Sequence, residues 1–519
     1  MGGFSMKKKK VFRLVSYLCL FLLVLSACSS GETSSSDSGG EIKDLVVAVT
    51  GEAKSLDPHN TTDSASKSIY SVMAETLVSL EENGDISPLL AKSWEKSEDG
   101  KTWTFQLQEG VKFTDGEPFN AEAVKTSFDR VTNEENKLAR YPLLGPFIES
   151  ITANGENEVV FQLKEPVGPF LNILAFASGS NIISPKSIEA GEESIKTNPI
   201  GTGPYKLKNW SPGSDTVFEA NKDYWGDAPK VDTITFRYIP ETASRVIMLE
   251  TGEVDVINNA PDNDVDRLND SEGIKVLSKN INRTVYVGIN TSVAPLDQIE
   301  IRQAFNYAVD KDALANSLYG GWVKESTSAV SESTQMYSNA GSYGFDLEKA
   351  KELVKKAGVK EGTKLRLIAA GNVTRDHKAA EYVQASLQKI GFDVELQLLE
   401  LSDYLATLED PTKYELFLRG GIAHTNDAND LLQDALQSTS AFNYAHYANP
   451  EVDRLITEGA IESDEDKRQK IYEESLNIIK EEAPWIFLYE DVVHVGMRDN
   501  VEGLIIPPNN LWNYSKIDK

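Results

Sequence analysis

The stretch "KLRLIAAGNVTRDHKAAEYVQASLQKIGFDVELQLLELSDYLATLEDPTKYELFLRG" (residues 364–420) alternates two kinds of pattern. Short apolar runs, "KLRLIAA", "DVELQLL" and "YELFLRG", have strand length and are rich in Leu and Ile. Between them, "HKAAEYVQASLQKIG" and "LSDYLATLE" repeat their apolar residues at helical spacing. A further helix precedes the stretch, with Ala350, Leu353, Val354 and Ala357 on one face and Gly358 as its stop. Strands alternating with helices predict an α/β fold built on a mainly parallel sheet covered on both faces. Ligands of such sheets bind beyond the carboxyl ends of the strands. The residues after "YELFLRG" are therefore the first candidate site.

Working outward, "DLVVAVT" (residues 44–50), "TWTFQLQEGVKF" (102–113), "EVVFQLK" (158–164) and "TITFRYI" (233–239) predict more strands. Asp99-Gly100 predicts a tight turn before Trp103 and Phe105, whose period-two spacing marks a core face. The glycines of "GTGPY" (201–205) suit an irregular backbone beside Pro204. Of the 519 residues, 40% are hydrophobic and 25% charged, an ordinary globular balance. The net charge of −28 makes nucleic acid and anionic lipid headgroups poor partners.

Catalytic signatures are absent. The sequence has no GxxxxGK[ST], GxSxG, GxGxxG or HExxH, and its five histidines include no pair at i, i+4. "DNDVDRLNDSEG" (262–273) has acids at the first, third and fifth positions of a calcium loop. Arg267 stands where that loop needs Gly and Gly273 where it needs Glu, so a solvated helix start is expected instead.

The amino-terminal segment has the layout of an export signal. Lys7 to Lys10 and Arg13 precede fourteen uncharged residues (14–27). At about 1.5 Å rise per residue these span about 21 Å, short of the roughly 30 Å hydrocarbon core. Leu25-Ser26-Ala27 before Cys28 resembles the lipobox of bacterial lipoproteins, which implies cleavage before Cys28 and lipidation of its sulfur. Two acyl chains suffice for stable anchoring. Loss of residues 1–27 removes Cys19 and five basic residues, leaving 492 residues, a net charge of −33 and stability that must come from a core. Residues 28–44, rich in Ser and Gly, read as a flexible tether of about 20 to 24 Å r.m.s. reach.

Five blocks then carry a resemblance along the whole mature chain. They are "LLAKSWEKSEDGKTWTFQLQEGVKFTDGEPFNAEAVKTSFDRV" (89–131), "PIGTGPYKLKNWSPG" (199–213), "DYWGDAPKVDTITFRYIPETASRVIMLETGEVDVI" (223–257), "INTSVAPLDQIEIRQAFNYAVDKDAL" (289–314) and "NPEVDRLI" (449–456). Their order and content resemble family 5 extracytoplasmic solute-binding proteins, the peptide- and nickel-binding components of ABC importers. The resemblance implies a two-lobe periplasmic-binding-protein fold with an extra subdomain inserted in the first lobe. On this chain lobe I is expected at 41–75, 199–289 and 490–519, the inserted subdomain at 76–198 and lobe II at 290–489.

The same resemblance implies a monomeric binder, lipid-anchored outside the cytoplasmic membrane. It would capture a ligand between its lobes, close on it by a hinge motion and deliver it to permease and ATPase subunits, with no enzymatic step and no cofactor. Peptide-binding members resemble "LFLRGGIAHTNDANDLL" (416–432), with an Arg ahead of a Gly-Trp pair and an Asp shortly after that meets the peptide ammonium. Arg419 and Gly421 match, but Ile422 stands in the Trp position and His424 or Thr425 in the Asp position. Asn426 and then Asp427, the nearest acid, follow, and Asp427 could serve only if the loop shifts. Arg140, in "LARYPLL", is a further candidate partner for a ligand carboxylate. The first expectation is a peptide ligand. The second is a metal chelate such as a nickel complex, coordinated by His424 and His446, with no metal site otherwise. A cell-surface hydrolase or a sensor is the remote alternative; the former would turn its substrate over, the latter would need no permease.

Overall fold

The computed structural model describes residues 43–371 and 374–519. Cys28, the signal segment and nearly all of the tether lie outside the described residues. Leu45, Val47 and Ala48 are wholly buried in the strand Asp44–Val49, which runs parallel to Thr233–Tyr238 and to Val256–Ile257. The predicted alternation of strands and helices also holds in the deciding stretch. Thr363–Ala370 is parallel to Phe392–Leu399 along its whole length and to Leu416–Ile422 through Leu367 and Ile368, with helices Thr374–Gln388 and Leu401–Leu408 between.

The sheet as a whole departs from the mainly parallel expectation. It is a mixed sheet of eleven strands, because two long strands run through its middle in antiparallel ladders. Ile274–Ile289 pairs with Leu416–Ile422 on one side and Trp485–Arg498 on the other. These crossing strands join the parallel group above to the one containing Asp44–Val49. Between Asn280 and Thr284 the ladder of the two crossing strands breaks, so that residues 281–283 oppose Asp491 alone. Such a bulge bends the strand and re-aims its side chains.

The buried apolar residues fall into separate clusters. One draws on residues 77–182, where Trp103, Phe105 and Leu107 alternate inward on an antiparallel four-stranded sheet and Phe128 meets Phe161 edge-to-face at 5.0 Å. Another is built from residues 285–492, with Val285 and Val287 of the first crossing strand at its centre. A third unites residues 45–74, 205–256 and 493–517. The Asp99-Gly100 turn forms as expected, with Gly100 at φ 70°. Gly201 lies so close to Met73 that a β-carbon would stand 2.0 Å from the Met73 carbonyl oxygen, which explains a glycine there. Residues 262–269 form a short 3-10 turn and one helical turn, the helix start read from the sequence.

Candidate functional site

The bulge opens a cavity of about 400 Å³. Ile281, Asn282, Arg283 and Asp491 form its floor; Val49, Thr50 and Gly51, at the carboxyl end of the strand Asp44–Val49, form one wall. Ile422 and His424, just beyond the strand Leu416–Ile422, stand on the opposite side. A helix, Ser64–Tyr70, supplies Lys67; Asp63 caps it by accepting from the Ser66 N–H at 2.9 Å. Residues from two strand groups on either side of the crossing strands thus share one cavity, beyond strand carboxyl ends as the sheet rule requires.

The floor is held by ion pairs. Arg283 bonds Asp491 at 2.5 Å and Asp376 at 3.0 Å. Arg375 pairs with Asp491 and reaches Asp262 at 2.7 Å, and Asp262 also lies 3.2 Å from the buried His494 Nε2. Arg375 and Asp376 belong to the helix Thr374–Gln388, whereas Asp262 belongs to the turn after Val256–Ile257. The network therefore ties the two strand groups together across the bulge.

The loop after "YELFLRG" splits into cavity residues and scaffold. Ile422 and His424 line the cavity. Gly421 is obligatory, since a β-carbon would come 2.7 Å from Leu431. Asn426 is buried in the left-handed region at φ 62° and accepts from Asn282 Nδ2 at 3.0 Å. Thr425 is buried too, its N–H donating to Asp430 at 2.9 Å. Asp427 corrects the sequence expectation. It is fully buried, its two carboxylate oxygens each take a guanidinium nitrogen of Arg468 at 2.6 Å, and it caps the helix Ala428–Leu436 through the Asn429 N–H. Its charge is already matched, so no loop shift frees it for a ligand ammonium.

Arg419 is half-buried, with its guanidinium over the Tyr444 ring at 5.1 Å and its buried Nη1 without a partner among the described residues. Arg140 donates from Nε to the Thr61 carbonyl at 3.0 Å, lies over the Phe176 ring at 5.5 Å and leaves a buried Nη2 unpartnered among the described residues. Phe176 in turn sits 6.1 Å from the His424 ring. His446 is elsewhere: it lines a separate pocket with Glu409 and Tyr444, its Nε2 3.4 Å from the Tyr414 hydroxyl. The two histidines named for a chelate are not brought together, and no group of three or more His, Cys, Asp or Glu suited to a metal occurs among the described residues.

Lys67, Phe176 and Asp430 were missed by sequence reading. Lys67 in "SASKSIY" carries no pattern, and only the fold places it in the cavity. Electrostatics mark these groups out. Enclosure first, and then the charges of Lys67, Arg140 and Arg419, lower the His424 imidazole to about 3, so it stays neutral. Burial, then neighbouring Arg140, lowers Lys67 to about 8. Burial raises Asp430 to about 7 against the bond from Thr425.

Comparison with known proteins places this geometry. Residues 85–443 match the family model for bacterial extracellular solute-binding proteins, family 5. The glutathione-binding protein GsiB of Escherichia coli K12 is 30% identical over 485 residues, covering 92% of this chain and 94% of its own. The binding protein DppA of Helicobacter pylori, solved with the peptide STSA, is 27% identical with a TM-score of 0.78, covering 92% of this chain and 98% of its own. The substrate-binding protein CtaP of Listeria monocytogenes superposes with a TM-score of 0.85 at 25% identity, covering 92% and 99%.

Proposed function

The chain belongs to the family 5 bacterial extracellular solute-binding proteins, and we propose that it captures a peptide in the cavity at the bulge and hands it to the permease of an ABC importer. The observation that carries this reading is one cavity walled from both sides of the crossing strands, in a chain whose relatives include a glutathione-binding protein and a protein solved with a bound peptide. The separate apolar clusters support the division into lobe I (41–75, 199–289, 490–519), inserted subdomain (76–198) and lobe II (290–489). Contacts across the cleft support a hinge. Gln335 of lobe II donates to the Gly84 carbonyl at 2.8 Å and accepts from Asn172 at 3.0 Å, bonds that opening would break. Ligand touching both lobes favours the closed form, which the permease would read.

In this reading Arg419 supplies a charge-assisted bond to a ligand carboxylate through the nitrogen left unpaired. The body is a monomer held outside the membrane by lipid on Cys28. Native mass spectrometry of protein purified without refolding, followed by calorimetry with the peptide found and small-angle scattering with and without it, tests the proposal. Intact peptide, tight binding and a smaller radius of gyration are expected. Tight binding without compaction refutes the hinge, and a ligand returned cleaved refutes the binder.

A further inference from the structure

Several buried charges in this protein are matched by ion pairs. Arg468 has Asp427, Arg130 has Asp57, Arg283 has Asp376 and Asp491. Lys67 breaks that pattern. It is 4% exposed, lines the cavity, and its ammonium makes no hydrogen bond or ion pair among the described residues. The Phe176 ring lies 5.6 Å from its Nζ, and the same ring carries Arg140.

Lys67 and Arg140 come from distant parts of the chain, yet each lies within reach of the other's charge. The acids nearest Lys67 are Asp63 and Asp430, and both are engaged with backbone: Asp63 with the Ser66 N–H, Asp430 with the Thr425 N–H. Gathering like charges in an enclosed site costs free energy unless an anion meets them. The net charge of −28 makes the local excess of cations more distinctive still.

We propose that Lys67 and Arg140, which share the Phe176 ring, form a carboxylate cradle that selects small peptides carrying an acidic side chain over their neutral isosteres. The proposal rests on the peptide-capture reading and adds to it the class of peptide and a specificity residue, Lys67. The α-carboxylate alone would leave part of the cradle unmatched; a second carboxylate completes it. Neutral His424 beside the cradle adds no positive charge and leaves a nitrogen free to accept a hydrogen bond from the ligand.

Calorimetry with the matched tripeptides Ala-Glu-Ala and Ala-Gln-Ala, and with inorganic phosphate, tests this. Wild-type protein should bind the Glu peptide at least about tenfold more tightly than the Gln peptide. Lys67→Met and Arg140→Met should each bring that ratio toward one, and Lys67→Arg should restore it in the first case, which a merely structural lysine would not. Circular dichroism and melting of each variant exclude misfolding, and salt titration of Glu-peptide binding on wild type gives a second reading independent of any substitution. A ratio of one with both peptides bound overturns the cradle alone. So does an unchanged ratio in both Met variants, or phosphate binding tighter than either peptide. Binding of neither peptide, with no peptide in the native mass spectrum, overturns the peptide reading and the cradle with it.

Discussion

Asp427 separates a ligand-binding acid from a scaffold acid, and its replacement gives different outcomes for the two. Its carboxylate is 0% exposed, takes both terminal nitrogens of Arg468 at 2.6 Å and caps a nine-residue helix. Arg468 is 3% exposed and donates its remaining Nε–H to the Gly459 carbonyl at 2.8 Å. Asp427→Asn keeps a capable cap but strands the guanidinium, and breaking one side of a buried ion pair costs about 3 to 5 kcal/mol. Asp427→Ala loses the cap as well, adding about 1 kcal/mol. Urea unfolding followed by fluorescence should show both losses in that order. The double variant Asp427→Leu, Arg468→Met should recover most of the deficit, because removing a buried pair together is often close to neutral. Peptide affinity, measured well below the unfolding midpoint, should not follow the stability loss. If Asp427→Asn left the midpoint unchanged and lowered peptide affinity instead, the scaffold assignment would be wrong and the acid would belong to the ligand.

Arg419→Ala should weaken binding by about 30-fold or more, since truncating one partner of a buried charged contact costs about 2 to 5 kcal/mol and each 1.4 kcal/mol is tenfold; full affinity for every ligand found would remove Arg419 from the site. For a metal chelate, EDTA and His424→Ala should both abolish binding, whereas acidification through pH 6.5 should not, because His424 stays neutral down to about 3; a peptide ligand should survive EDTA. Stability should fall on the acid side. Burial first, then Arg130, holds the wholly buried His59 down at about 4, so between about 6.5 and 4 the unfolded chain binds the proton and the folded one does not. That group's contribution is complete above about 6.5 and declines by up to about 1.4 kcal/mol per pH unit below it. Urea midpoints at pH 7, 5.5 and 4.5 should show the decline and His59→Gln should flatten it; equal slopes in the two proteins would refute the assignment. Cys28→Ala should release the protein from membranes without altering affinity, and a variant that stayed bound through a detergent-free wash would refute lipid anchoring.

The elements easiest to read in the sequence were those whose pattern is local. Trp103, Phe105 and Leu107 alternate, Ala350 and Val354 repeat at helical spacing, and Asp99-Gly100 turns, each for reasons contained within a few residues. The crossing strands were not legible. "IKVLSKNINRTVYVGI" mixes lysines, an arginine and two asparagines with its apolar residues, because its middle, Ile281 to Arg283, lines a cavity and its last residues run through a core. "WIFLYEDVVHVGMR" is buried almost throughout, so its Glu490, Asp491 and His494 occur where strand patterning expects apolar residues. They are tolerated because the Ser331 hydroxyl and the Glu332 N–H donate to Glu490, two arginines meet Asp491, and Ser278 and Asp262 flank His494. The site divided in the same way. Ile422 and His424 were accessible through their place at and just beyond the end of a strand, whereas Lys67 reaches the site only through tertiary packing.

The uneven pairing of charges bears on how the cleft closes. A hinge closes on a ligand only if the ligand binds the closed form better than the open one, and moving an equilibrium from 1:99 to 99:1 takes about 5.5 kcal/mol of that difference. The ion pairs at the floor of the cleft supply a permanent attraction between the lobes, through Arg375 to Asp262 and Asp491. Taken alone they would favour closure without cargo. The cations of the proposed cradle add nothing to that attraction, because Lys67 and Arg140 meet at the Phe176 ring on one side of the cleft and repel each other whether it is open or shut. An anionic ligand matches Lys67 and Arg140 on one wall while touching Ile422 and His424 on the other, so one molecule supplies differential affinity from both lobes. The two sets of charges also differ in their response to salt. The floor pairs are matched and largely buried, while the cradle is unmatched until ligand arrives. Raising ionic strength should therefore weaken the binding of acidic peptides more than that of their neutral isosteres. Equal salt dependence for the acidic and the neutral peptide would remove the cradle from the selection of ligand.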